Sequence, residues 1–480
     1  MKKPAILFFV ALIILFCPLA YGKPISQGSV ALNGTMLYVN GAEFKIKGVG
    51  YQPTPIGQGP GYNFYNQPGI YNRDFSLLRN MSANTIRTWA QIQDGNFLNA
   101  AYNNGNKPIY VVMGFWVNCS EDYNSTAIRQ KYINDFGNYV AAYKNYSSVL
   151  MWALGNENNL DYCSPASLVD DLNSLYNEMA KKAYEIEGSS YHPVAIINGD
   201  VVYLGDAAKK SDDAFLNYTD IWGMNTYPGS SLTAKINEYS VLSSKPLFIS
   251  EYGTDALNNS ALTEDEETQA DWDVALWGEI ANSAITLGGT IMEYSDEWWK
   301  FSTGDWGVHD TGGYYPSWNP SSHPDSYVNE EYWGIMKVQD NGASPDIMTP
   351  RQVYYALKNE FSEIQYRLYL KDSAGNIAAS FDDFGNILLK GTLQQSSSYT
   401  ATSNDEFRFQ DRNGNDIAIV DATNGNMYIY GTLSENQGSL NPLEGSYDFI
   451  IKNEDGNIVA YIDEAGNMFL KGTLTQNGSP

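Results

Sequence analysis

Two short apolar runs that each stop at a glutamate constrain this chain more than anything else in it. Val149-Leu150-Met151-Trp152-Ala153-Leu154 has no polar alternation and ends abruptly in Gly155-Asn156-Glu157-Asn158. Such a run suits a strand covered on both faces, as in a parallel sheet. A charged group at the end of a buried strand is costly unless something uses it. Taken alone, Glu157 also fits a loop cap or the partner of an arginine. The run Lys245-Pro246-Leu247-Phe248-Ile249-Ser250-Glu251-Tyr252-Gly253 repeats the design, with a glutamate at the strand's C-terminal end and a glycine that lets the chain turn.

Two carboxylates so placed have a chemistry waiting for them. Retaining glycoside hydrolysis needs one carboxyl kept protonated as general acid/base and one kept ionised as nucleophile, roughly 5 to 5.5 Å apart.

The rest of the chain predicts where these strands sit. Strands are expected at Phe44–Gly50, Thr85–Trp89, Pro108–Gly114 running on into Phe115-Trp116, Val149–Leu154, Pro193–Asn198, Asp220–Pro228, the run before Glu251, and Gly289–Tyr294. Helices are expected over Tyr71–Met81, over Ser125–Tyr143, and to about Glu187 from Ser164 with Pro165 at the first helical position. Thr263 and Glu266 predict a capping box for a helix to about Leu287, and Thr349-Pro350-Arg351-Gln352 predicts the start of a closing helix. Ahead of the first strand, Thr35–Phe44 reads as a hairpin turning at Asn40-Gly41 and closing a barrel floor. Strands alternating with helices in this way imply parallel pairing and one (β/α)8 barrel, whose functional residues belong at the strands' C-terminal ends. Arg87, Trp116, Asn156, Glu157, Tyr227, Glu251 and Trp298 all fall at or near such ends.

Leu-Gly-Asn-Glu at 154–157 followed by Ile-Ser-Glu-Tyr-Gly at 249–253 resembles the clan of retaining glycoside hydrolases built on (β/α)8 barrels. Within that clan the chain is most similar to glycoside hydrolase families 2 and 72, the latter including β-1,3-glucanosyltransferases. The resemblance covers about residues 30 to 362 and implies Glu157 as acid/base at the end of strand 4 and Glu251 as nucleophile at the end of strand 7. It also implies that Arg87 hydrogen-bonds the nucleophile, that Tyr227 stands near it and that Asn156 holds a sugar 2-hydroxyl. Trp298 or Trp299 would supply the aromatic platform of the cleft floor, and Trp116 a further sugar contact. Phe301–Tyr332, rich in aromatic residues, Gly and Pro and containing Trp306, His309, Tyr314, Tyr315 and Trp318, is expected to wall the cleft.

Lys2, Lys3, the apolar run from Ala5 to Cys17 and the small-residue site at Ala20-Tyr21-Gly22 read as a secretory signal peptide over residues 1–22. The mature chain is therefore expected to be secreted or attached to a cell surface. Its net charge of −26, or −28 without the two signal lysines, repels nucleic acid and anionic membranes but is indifferent to neutral sugars. Only Cys119 and Cys163 remain after the signal, just beyond strands 3 and 4, which are neighbours in a barrel. In an oxidising compartment a disulfide between them is expected, and closing that loop contributes about 4 kcal/mol on the chain-entropy picture. Only three histidines, His192, His309 and His323, are available, so no metal site and no cofactor is expected.

A different texture begins near Glu363. Tyr366–Leu393, Phe407–Leu433 and Tyr447–Leu474 are three copies of one unit, each closing on Gly-Thr-Leu, with Gly-Asn turns such as Gly375-Asn376 and Gly385-Asn386 between short strands. Residues 363–480 are thus expected to form a small all-β repeat domain of stacked hairpins, following a catalytic barrel over 23–362. Asp-rich turns such as Asp382-Asp383-Phe384-Gly385-Asn386 have the composition of calcium loops, but Asp and Asn favour turns without any metal. The sequence predicts a retaining β-glycoside hydrolase or transglycosylase acting on a β-glucan-like polysaccharide or oligosaccharide. It is expected to meet a cell surface or glycan through its repeats and no nucleic acid. The rival reading is a non-catalytic polysaccharide-binding surface protein on a glycosidase-like barrel, and retention of both glutamates with Asn156, Arg87 and Tyr227 favours the enzyme.

Overall fold

The computed structural model describes residues 23, 25–300, 305–311, 325, 327–342 and 344–362, and in the repeats 366–371, 373, 377–382, 386–396, 406–411, 414–437, 440, 449–452, 458–463 and 465–477. The signal-peptide reading, together with Tyr314, Tyr315, Trp318 and His323, lies outside the described residues. So do the Gly375-Asn376 turn and Asp383 to Gly385. Contacts divide the chain into one unit up to Ser362 and a second from Glu363 onward.

The first unit is a closed barrel of eight strands. In chain order they are β1 (Ile46–Gly50), β2 (Thr85–Arg87), β3 (Tyr110–Phe115), β4 (Val149–Leu154), β5 (Val194–Gly199), β6 (Ile221–Asn225), β7 (Leu247–Tyr252) and β8 (Thr286–Ile291). Every neighbouring pair is parallel, and β8 closes on β1 with Gly288 opposite Ile46. Along β4, Trp152 and Leu154 belong to the layer packed under the helices, whereas Met151 and Ala153 fill the barrel interior. That two-sided burial is why the run shows no polar alternation. Ahead of β1, Met36–Val39 pairs with Ala42–Glu43 around Asn40-Gly41, both at positive φ as this two-residue hairpin requires. Val30, Leu37 and Val39 pack with the interior residues Val112, Met151 and Phe248, so the hairpin does plug the floor.

The helices are α1 (Pro68–Asn80), α2 (Gly95–Tyr102), α3 (Thr126–Tyr143), α4 (Val169–Glu187), α5 (Thr233–Leu242), α6 (Glu266–Asn282) and α7 (Gln352–Phe361). Three predicted starts move. Pro165 precedes a short 3-10 turn at Ala166–Leu168, and α4 proper begins at Val169. Thr263 pairs with Asn258 in a two-residue ladder, leaving Asp265 to cap α6 by accepting from the Thr268 amide at 3.1 Å. Thr349 and Pro350 belong to a strand paired with Met336–Gln339, so neither caps α7. In the last two cases a strand pairing outcompetes the local cap signal. Strand β8 also begins and ends three residues before the predicted Gly289–Tyr294, and among the described residues β5 and β6 are joined by a 3-10 turn, Ala207–Lys209, rather than an α-helix.

The second unit repeats one design three times. Each copy is a three-stranded antiparallel meander: 366–371, 377–382 and 387–389; then 406–410, 416–421 and 426–429; then 449–452, 458–462 and 468–470. The Gly-Thr-Leu segment of each copy crosses over to pair in parallel with the last meander strand of the next. Leu474–Thr475, from the third copy, returns to pair with Ile387 and Leu388 of the first. The expected stack of hairpins is therefore a closed ring. At each crossing an asparagine accepts from the threonine amide, Asn426 from Thr392, Asn467 from Thr432 and Asn386 from Thr473, at 2.7 to 3.0 Å. Described turn aspartates Asp411, Asp421 and Asp463 accept from nearby backbone amides, which is turn chemistry.

The ring crossings leave no room for a side chain. A Cβ on Gly431 would lie 2.2 Å from Asn467 Oδ1. Gly431→Ala should therefore destabilise that crossing by roughly 1–3 kcal/mol, read as lost amide-exchange protection across 426–434 and 466–470. Unchanged protection would mean that the crossing does not hold the ring.

Candidate functional site

The C-terminal ends of the barrel strands enclose a cleft of about 750 Å³, lined by Trp89, Trp116, Asn156, Glu157, Tyr162, Asn225, Tyr227, Glu251, Trp299, Lys300, Glu330 and Trp333 among others. Both strand-end glutamates face it. Arg87 ends β2 almost wholly buried, and its guanidinium spans the barrel. Nη1 donates to Glu251 Oε1 at 2.7 Å and to the Ser250 carbonyl at 3.1 Å, while Nη2 donates to Asn156 Oδ1 at 2.6 Å.

Glu251 receives two more donors. Trp89 Nε1 donates to Oε1 at 2.7 Å and Tyr227 OH to Oε2 at 2.7 Å. A guanidinium and two further donors thus converge on this one carboxylate. The same anion, after burial, pushes the Tyr227 phenol well above its ordinary range, so it stays a donor. Trp333 packs edge-on against Tyr227, with ring centres 5.0 Å apart.

Glu157 stands in a different environment. The chain leaves β4 through Gly155 at positive φ, where a Cβ would meet the Tyr176 hydroxyl at 2.0 Å, and Glu157 is itself left-handed with φ 54°. The turn is held from behind, because the Asn156 amide donates to Asn158 Oδ1 at 2.9 Å and Asn158 Nδ2 donates to the Val117 carbonyl. Glu157 accepts only from neutral donors, Asn225 Nδ2 at 3.1 Å on Oε1 and Tyr162 OH at 2.5 Å on Oε2. Asn225 also donates to Asn156 Oδ1 at 3.1 Å, and Ser250 Oγ donates to Asn225 Oδ1 at 2.7 Å. The two glutamates are thus joined through Arg87, Asn156 and Asn225. Burial, then the charge of Glu251, pushes the Glu157 carboxyl up to about 7.

Of the expected residues, the structure brings Trp116, Asn156, Glu157, Tyr227, Glu251 and Trp299 to one cleft, with Arg87 buried behind it and bonded to Glu251 and Asn156. Trp298 does not line it. Its ring stacks on His309, centres 4.7 Å apart, and His309 stacks on Tyr332 in turn. Adjacent residues point opposite ways here, so only one of the tryptophan pair reaches the cleft. From the long loop, Val328 and Glu330 line the cleft, whereas Trp306 lies against Gly59. Cys119 and Cys163 form a disulfide. Trp89, Tyr162, Asn225, Lys300 and Trp333 were not expected. Trp89 had a signal, since it lies two residues beyond Arg87 and so shares its face of the strand. Among the described residues no group of three or more His, Cys, Asp or Glu side chains is placed to hold a metal ion.

The raised Glu157 carboxyl links the site to stability. The unfolded chain loses that proton near 4.5, and the folded protein keeps it to about 7. The folded state therefore binds more protons between those values, and stability falls as pH rises through the window. Glu157→Gln removes the penalty, so its unfolding free energy, read from the denaturation midpoint, should match the parent at pH 4 and exceed it at pH 8 by roughly 1–3 kcal/mol, discounted for cleft solvent. Equal midpoints at both pH values would contradict the assigned environment.

The sequence profile of glycoside hydrolase family 72, described as glucanosyltransferase, matches residues 26–302. The chain is 26% identical over 285 residues to a probable 1,3-beta-glucanosyltransferase of Saccharomyces cerevisiae, covering 53% of this chain and 52% of that protein. It is 22% identical over 249 residues to a beta-glucuronidase of Rattus norvegicus, covering 51% of this chain and 36% of that protein. The chain thus spans about half or less of the length of these relatives. Among solved structures, a β-D-glucuronidase of Dictyoglomus thermophilum is similar with a TM-score of 0.50 at 18% identity, covering 71% of this chain and 54% of that one, a likeness that speaks for the barrel fold alone. Since the matched profile takes in more than half of the chain and both strand-end glutamates, the protein belongs to the glucanosyltransferase family, glycoside hydrolase family 72.

Proposed function

We propose that the protein is a retaining β-glucan transglycosylase, with hydrolysis as the competing outcome, in which Glu251 is the nucleophile and Glu157 the acid/base. The observation that carries this reading is the contrast between the two carboxylates. Glu251 takes a guanidinium and two neutral donors, while Glu157 takes neutral donors only and faces a like charge. The first setting suits a carboxylate that attacks as nucleophile, and the second, where burial and then Glu251 raise the carboxyl, suits one that starts protonated. In the first step Glu251 attacks the anomeric carbon while Glu157 gives its proton to the departing glycosidic oxygen. In the second, Glu157, now ionised, takes a proton from an incoming sugar hydroxyl or water, which displaces Glu251. Asn156, oriented by Arg87, is assigned to the 2-hydroxyl, and Trp116 and Trp299 to sugar faces. The family membership supports a 1,3-β-linked glucan as donor. The N-terminal apolar segment supports secretion, with the repeats serving attachment or spacing.

With a soluble 1,3-β-gluco-oligosaccharide, Glu251→Ala should abolish the covalent glycosyl-enzyme, and turnover should fall by at least a factor of 1,000, on the order expected for loss of a covalent nucleophile. Glu157→Gln should be hit hardest with poor leaving groups and spared most with activated aryl glycosides. Proton NMR of the first-formed product should show a retained anomeric configuration, and inversion would overturn the mechanism even with both residues essential.

The repeats present no such pair of strand-end glutamates among their described residues. A chain ending at Ser362 should therefore keep its rate on short soluble oligosaccharides to within about two-fold, a change under ~0.5 kcal/mol. A folded truncation that loses most of its turnover would count against a spacing role.

A further inference from the structure

Tyr162 stands out because its ring is 71% exposed while its hydroxyl is fixed, donating to Glu157 Oε2 at 2.5 Å. An exposed tyrosine ordinarily has many rotamers open to it, so something must hold this one. The next residue, Cys163, is bonded to Cys119 beyond the neighbouring strand β3. Its carbonyl accepts from Ser120 Oγ at 2.5 Å and its sulfur from Asn158 Nδ2 at 3.2 Å, while its own amide donates to the Leu160 carbonyl at 2.9 Å. The segment from Glu157 to Cys163 is a wound turn clamped at its far end by a covalent bond, and the phenol is carried by that clamp.

We propose that Tyr162 is a positioning residue for the acid/base, held over Glu157 by the Cys119–Cys163 disulfide, and that its hydrogen bond favours the ionised form that Glu157 takes between the two steps. The inference rests on the assignment of Glu157 as acid/base. When Glu157 releases its proton to the departing oxygen, the new carboxylate already has the Tyr162 O–H pointed at Oε2. The phenol keeps its own proton throughout, since losing it would set a second negative oxygen 2.5 Å from the Glu157 carboxylate. When the acceptor hydroxyl arrives, its proton returns to Glu157 and the bond to Tyr162 weakens again. The other charged or titratable groups acting on this carboxyl are Glu251 from β7 and Arg87 from β2, with Tyr227 beyond β6, and Glu330 faces Tyr162 itself. None of these donates a hydrogen bond to Glu157, so Tyr162 is the titration partner that a single oxygen atom can remove.

The test is Tyr162→Phe in the full chain, with the pH profile of kcat/KM on the soluble 1,3-β-gluco-oligosaccharide and, independently of turnover, carbon-13 titration of the Glu157 carboxyl assigned by its loss in Glu157→Gln. Both the alkaline limb and the carboxyl titration should move to higher pH by about half a unit to one unit, since a donor to the anion has been removed. The Cys119→Ala/Cys163→Ala double variant, with the phenol present but its clamp gone, should move both part of the way. A merely structural Tyr162 would lower activity at every pH and move neither. An unmoved carboxyl titration in Tyr162→Phe overturns the proposal alone. A moved titration with an unmoved limb overturns the acid/base assignment of Glu157 and the proposal with it.

Discussion

The site depends first on one buried cation. Arg87 is 1% exposed at the C-terminal end of β2, above an apolar barrel floor, and a buried charge is tolerated only when its partners are close and well aimed. Its partners lie on opposite sides of the ring, Glu251 on β7 and Asn156 just past β4. The requirement that the guanidinium be satisfied therefore fixes the spacing of those strand ends. It also makes the two glutamates unequal, because the cation touches only one of them.

Around that contact the barrel separates its two tasks by height. The lower part is filled by Val112, Met151, Ala153, Ile197 and Phe248 and sealed by the hairpin residues Leu37 and Val39. None of these side chains carries a polar atom. The polar network lies in the last three residues of β2, β6 and β7 and the turn after β4, where Asn225, Ser250 and Glu251 meet Arg87 and Asn156. The apolar plug thus serves the chemistry by keeping the network's back side dry, so that its hydrogen bonds operate at low effective dielectric.

How much of this could be read beforehand follows from what each residue had to compete with. The strands were legible because burial on both faces leaves an unmistakable apolar run, and the glutamates because they interrupt it. Three helix starts were misread at Pro165, Thr263 and Thr349 because cap residues also suit turns and short ladders, and the partners that drew Thr263 and Thr349 into strands are distant or unpatterned. Trp298 and Trp299 are indistinguishable by composition, and only the stack on His309 separates them. Tyr162 had no signal at all, since its place over Glu157 depends on a wound loop and a disulfide that no periodicity encodes. In the repeats the motif and its spacing were plain, but a crossing strand given by one copy to the next is invisible to a reading made one copy at a time.

That exchange of strands has an evolutionary consequence. In an open solenoid each unit touches only its neighbours, so units can be gained or lost by recombination with little penalty. Here the third copy hands its last strand back to the first, pairing Leu474 with Ile387. A gained or lost copy would have to break that pairing and reclose the ring around a different number of units. Closure thus makes a change of copy number costlier than in an open array and favours divergence in place, by substitution, with the Gly-Thr-Leu segment and its asparagine kept at every crossing.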